Sequence, residues 1–63
     1  MTKKDFLEFI ESFLEKTGMS ATMLGIKAKN DPKFVFNLRD GTESREDTQN
    51  KVLDFINNYK QEE

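Results

Sequence analysis

Sixty-three residues without cysteine or histidine make one small domain that has to hold without disulfides, thiolate or imidazole metal sites, or the usual pairs of nucleophile and base. A deep catalytic pocket needs walls that so few turns of chain hardly supply, so no enzymatic activity, metal or cofactor is expected. The net charge of −2 argues against a non-specific polyanion binder, so a nucleic-acid reading has to find its positive charge concentrated in one part of the chain.

The amino-terminal stretch MTKKDFLEFIESF breaks its apolar residues with acids, and the longest apolar runs are two or three residues. Neither a signal peptide nor a membrane span is expected, and the cytoplasm is the expected compartment. Phe6, Phe9, Ile10, Phe13 and Leu14 then recur at three and four, which predicts a first helix over residues 3–17 with one apolar face. Thr2 with Asp5 reads as a capping box, Gly18 as the left-handed stop, and Leu7 widens the buried face.

Ser20 opens a second helix, predicted over 21–29, with Met19 and Leu24 spaced as a hydrophobic staple. Met23, Leu24 and Ala28 make its short buried face. Gly25 inside this helix costs about 1 kcal/mol against alanine, and close approach of a neighbouring element is the reason expected for it.

Asp31 and Pro32 open the third helix, predicted over 32–40, with Asp31 as cap, Pro32 at the first helical position and Gly41 as the stop. After a polar connection, Ser44 followed by Asp47 reads as the cap of a fourth helix over 45–60. Val52, Phe55, Ile56 and Tyr59 form its inner face. The tail Gln61-Glu62-Glu63 is expected to fray. No run alternates with period two, so the expected fold is all-α with four helices.

The third helix carries three neighbouring apolar residues, Phe34, Val35 and Phe36. At 100° per residue, Phe34, Val35 and Leu38 share the core face, whereas Lys33, Phe36, Asn37 and Asp40 point away from it with Arg39 at the flank. Phe36 is therefore expected to face outward, where later burial would recover about 1.5–3 kcal/mol. Three occupants of that position stay open: DNA, a subunit or partner interface, and partial cover by a neighbouring helix.

A short helix, the tight polar turn Lys29-Asn30-Asp31 and a second capped helix make the arrangement of a helix-turn-helix. The stretch SATMLGIKAKNDPKFVFNLRDGTESREDTQNKVLDFI, residues 20 to 56, resembles the helix-turn-helix region of the phage-repressor and Cro-like family of small bacterial regulators. Leu24-Gly25 stands at that family's leucine and small residue, and Val35 and Leu38 at the buried positions of its recognition helix. Arg39-Asp40-Gly41 matches the ending of that helix, and Ser44 to Thr48 the capped start of the next. The turn has Lys29 and Asn30 where the family has a glycine and an apolar residue, and Asn30 is expected to take the left-handed conformation instead.

The resemblance implies a compact, lambda-repressor-like domain spanning residues 1–63 and a phage- or prophage-like transcriptional regulator that binds double-stranded DNA. Its third helix would read the major groove: Lys33 donating to guanine, Asn37 pairing with adenine and Phe36 packing on a thymine methyl. Ser20 and Thr22, with the free N–H groups opening the second helix, would hold a phosphate, and Lys27, Lys29 and Arg45 would flank the groove.

Plainer readings stand beside these. Cations in a helix's last turn are favoured by its dipole, which accounts for Lys16, Lys27, Lys29, Arg39 and Lys60 without a ligand. Lys33 and Arg45 sit in the first turn, where that explanation fails. Residues 1–18 carry net −1, residues 19–45 net +2 and residues 46–63 net −3, so the positive part coincides with the proposed motif. Two net charges make for weak binding by one subunit. A homodimer reading two half-sites, with Leu53 and Tyr59 as contact residues, or a protein partner met through Phe36, is expected to supply the rest. The rival reading is a protein-interaction module on the same fold, such as an adaptor, an antitoxin-like binder or an anti-repressor, without DNA binding.

Overall fold

Thr2 sets the start of the first helix. In the computed structural model, which describes residues 2–59, the Thr2 Oγ1 accepts from the Asp5 N–H at 3.1 Å, and α1 runs Lys3–Thr17. Gly18 ends it at φ +73°, its N–H donating to the Leu14 carbonyl at 2.9 Å. The Thr17 hydroxyl donates to the Phe13 carbonyl at 2.8 Å and accepts from the Met19 N–H at 3.3 Å, which ties the connection to the end of α1.

Helix α2, Ala21–Lys29, starts on Ser20, whose Oγ accepts from the Met23 N–H at 3.1 Å. It ends on Asn30, left-handed at φ 57° and ψ 36°. The Asn30 N–H donates to Ile26 at 2.9 Å and the Asp31 N–H reaches back to Gly25 at 3.0 Å, the bonding pattern that satisfies the last carbonyls of a helix. This fold of the chain explains Gly25. A Cβ there would collide with the Asp31 carbonyl oxygen and press on the Phe34 Cβ at 3.4 Å.

Helix α3 is Phe34–Arg39, shorter than the expected 32–40. The Asp31 carboxylate does act as a cap, but of a turn: its Oδ1 accepts from the Lys33 N–H at 3.0 Å, while the Asp31 carbonyl accepts from Phe34 at 3.2 Å. Pro32 and Lys33 are thereby spent on the turn, and Lys33 takes the cap position of α3 with no side-chain hydrogen bond. Gly41, at φ +104°, closes the other end, with its N–H on Leu38 at 3.1 Å and that of Thr42 on Asn37 at 3.0 Å.

Helix α4, Glu46–Asn58, departs from expectation at its start. Arg45, not Ser44, holds the cap position, and no side chain caps the helix. Ser44 instead offers its carbonyl to the Gln49 amide at 3.5 Å. Glu46 and Asp47 in the first turn offset the positive end of the helix dipole. Tyr59 is extended and stands at the carboxyl cap. Lys60 and the Gln61-Glu62-Glu63 tail lie outside the described residues.

The molecule is thus all-helical, with four helices and no strand among the described residues. Helix α2 packs on α3 and α4, and α1 packs on α3. Phe6, Ile10, Leu24, Val35 and Val52 are sealed completely, surrounded by Phe13, Leu14, Ala28, Phe34 and Leu38. Phe6 meets Phe34 edge-on at 6.4 Å between ring centres. Phe13, Phe55 and Tyr59 form a second aromatic group, 5.3 to 6.3 Å apart, that joins the end of α1 to the end of α4.

Two expectations for the core need correction. Met23 is 43% exposed, because the inner side of α2 is set by Leu24, Gly25 and Ala28 and Met23 lies a full 100° beyond Leu24. Phe9 is only half-buried, lining a hollow of about 500 Å³ beside Phe13, Ile56 and Tyr59. Among the described residues no helix is long and apolar enough to cross a membrane.

Candidate nucleic-acid interface

Burial of Phe34, Val35 and Leu38 turns the rest of α3 outward. Lys33, Phe36, Asn37, Arg39 and Asp40 are all exposed, and Phe36 keeps 47% of its surface in solvent. Phe36, Asn37 and the cap residue Asp40 lie three and four apart and form an outer row, with Lys33 at the amino-terminal cap of the helix.

One flank of this row is pinned. Arg39 makes two hydrogen bonds to the Glu11 carboxylate of α1, each 2.7 Å, in the fork geometry that suits guanidinium and carboxylate. Those bonds hold the Glu11 carboxyl below its ordinary range and raise the Arg39 guanidinium further. The same guanidinium lies over the Phe36 ring, 5.5 Å from its centre, within reach of a cation–π attraction.

The other flank is open. Asn37 lines a hollow of about 340 Å³ between the end of α2, α3 and the connection to α4, together with Lys29 and Arg45 over a floor that includes Phe34 and Leu38. Lys29 is steadied there by the Phe34 ring, with Nζ 5.4 Å from its centre. Asp31 and Glu43 also line the hollow, so its charged side chains balance. The hollow therefore carries no net charge.

The expected site residues therefore fall into three groups. Lys29, Asn37 and Arg45 meet in the hollow, and Phe36 belongs to the outer row of α3, with Lys33 at its amino-terminal cap. Ser20, Thr22 and Lys27 are exposed on α2 and do not line the hollow. The Ser20 oxygen is engaged as a cap acceptor, which leaves its hydroxyl proton as a donor. Phe36 has its cover from Arg39, a residue three positions along its own helix.

Three participants were not anticipated. Arg39 has a role besides its place in the last turn, Glu11 reaches α3 from 28 residues away, and Ile26 is exposed at 42% beside Met23. The Phe36–Arg39 spacing of three was a legible signal for the first. Nothing local announces Glu11, because its partner is supplied by the packing of α1 on α3. In comparisons with protein-family models, with curated proteins and with solved structures, nothing matches the chain, so a functional reading rests on these residues themselves.

Proposed function

We propose that the chain is a small DNA-binding transcriptional regulator, with α2 and α3 acting as a helix-turn-helix of the phage-repressor and Cro-like kind and α3 entering the major groove. The observation that carries this reading is the outer side of α3, where Phe36 and Asn37, with Lys33 at the amino-terminal cap, stand exposed on a helix whose other side is sealed in the core. An α-helix is about 10–12 Å across with its side chains, which suits a groove about 12 Å wide.

Each residue has a part in that geometry. Lys33 donates to guanine, Asn37 forms a two-point pair with adenine, and Phe36 packs on a thymine methyl. Ser20 and Thr22 at the start of α2 hold a phosphate of one strand. Lys27, Lys29 and Arg45 attract the backbone on either side. No reaction is assigned to any of them. The near-balance of charge around the hollow keeps one subunit's affinity low, so two copies on adjacent half-sites bind more usefully than one.

Fluorescence anisotropy with a random-sequence duplex, at about 50 and 200 mM salt, tests the proposal. Wild type binds at the lower concentration and weakens steeply at the higher. Lys33→Ala and Arg45→Ala each flatten the logarithmic salt slope by about 1. Asn37→Ala leaves that slope nearly unchanged and relaxes sequence preference. Absence of binding in dilute buffer ends the proposal.

A second reading has an observation of its own. Met23, Ile26 and Phe36 are all large, apolar and 42–47% exposed, which offers apolar side chains that a protein partner could cover. A protein-interaction module would depend on Phe36 and on those α2 residues, and its binding would barely respond to salt.

A further inference from the structure

Phe36 has few restraints of its own. It projects from the outer side of α3 with 47% of its surface exposed, and on a helix an aromatic ring has two staggered positions open to it about its first side-chain bond. Arg39 changes this. Its guanidinium lies over one face of the ring at 5.5 Å and is itself held by two 2.7 Å bonds to Glu11 on a different helix. The fork favours one plane of the guanidinium, and the guanidinium biases the ring towards orientations that lie beneath it.

We infer that Arg39, anchored by Glu11, is a positioning residue that biases the Phe36 ring towards an orientation with one face covered and the other free to take the 5-methyl group of a thymine. The inference rests on the DNA-binding reading and adds to it the group that decides whether that methyl is recognised. Arg39 itself is occupied by Glu11 and by the ring, so its work is orientation, and the phosphate contacts belong to other cations. A freely turning ring would still offer apolar surface, but it would discriminate poorly between a base with the methyl and one without.

The test separates positioning from charge. The duplex that wild type enriches most strongly from a random-sequence pool is resynthesised with deoxyuridine replacing each thymine in turn, which removes the methyl and nothing else. At one position the wild-type chain should bind about fourfold more weakly, as expected for one buried methyl group. Phe36→Ala should abolish that difference. Glu11→Ala and Arg39→Gln alter net charge in opposite directions, so overall affinity should rise in the first and fall in the second. The methyl ratio should drop below about twofold in both.

Alanine suits the helix at position 11, and circular dichroism checks that each variant keeps its helices. A methyl ratio that stays at the wild-type value in Glu11→Ala overturns the inference, as does a wild-type chain indifferent to every thymine. Either result leaves DNA binding standing. Failure of the wild-type chain to enrich any duplex overturns the DNA reading and this inference together.

Discussion

Alanine at position 25 tests two opposing effects in one atom. The exchange gains about 1 kcal/mol of intrinsic helix preference, yet the new methyl collides with a backbone carbonyl oxygen that has no side-chain freedom to yield. Strain should win, and Gly25→Ala is expected to destabilise the fold by about 1–3 kcal/mol, read from the urea midpoint. The Glu11–Arg39 pair is a different case, because both partners remain about 40% exposed. A double-mutant cycle should give a coupling below about 1 kcal/mol. The sign of its pH dependence is set by Glu11, whose folded pKa lies below the unfolded one. The contribution is complete above the unfolded value of about 4.3 and disappears as pH falls through the lower folded value. A coupling that instead grows in acid would show that the fork is not formed in solution.

Helix boundaries depend on which groups win the free N–H positions, and the four starts differ in this. Thr2 and Ser20 each accept a backbone N–H three residues on, so Ser20→Ala should cost about 1 kcal/mol and lower the melting temperature by about 4–8 °C. Ser44→Ala should change it little, because Ser44 caps nothing. Equal effects at the two serines would contradict the assigned caps. Local chemistry made the ends of α1 and α2 legible from sequence: Thr2, Gly18, Ser20 and Asn30 each act on neighbours within a few positions. The starts of α3 and α4 were less so. The Asp31 side chain does accept from Lys33, but its carbonyl closes on Phe34, three residues on, where an α-helix would close on the fourth, so the chain makes a tight turn before α3 begins. At α4 the cap position falls on Arg45, one residue beyond the serine, and no side chain fills it; nothing in the spacing of Ser44 and Asp47 marked that shift.

For the molecule as a whole, the core is small enough that single residues matter. A domain of this size rarely holds more than about 3–5 kcal/mol, and removing the sealed Phe6 ring costs about as much. Phe6→Ala is therefore expected to be largely unfolded at 25 °C, and a full helical circular-dichroism signal with a cooperative melt would refute that. Periodicity revealed most of this core, since Phe6, Ile10, Leu24, Val35 and Val52 follow helical spacing. It could not reveal the candidate interface in full. The outward turn of Phe36 follows from its angle to Val35, but the cover given by Arg39 and the grasp of Glu11 arise only when α1 and α3 meet. The hollow likewise joins Lys29 to Arg45, residues with no periodic relation.

Where Gly25 lets the main chain of Asp31 press directly against α2, the turn that leads into α3 is held backbone against backbone, with no pliant side chain in between. The pair should behave as a rigid template. On the proposed DNA-binding reading, any mismatch in curvature would be absorbed by the duplex, which would be favoured where steps such as TA or CA let it bend cheaply, even at bases that α3 never touches.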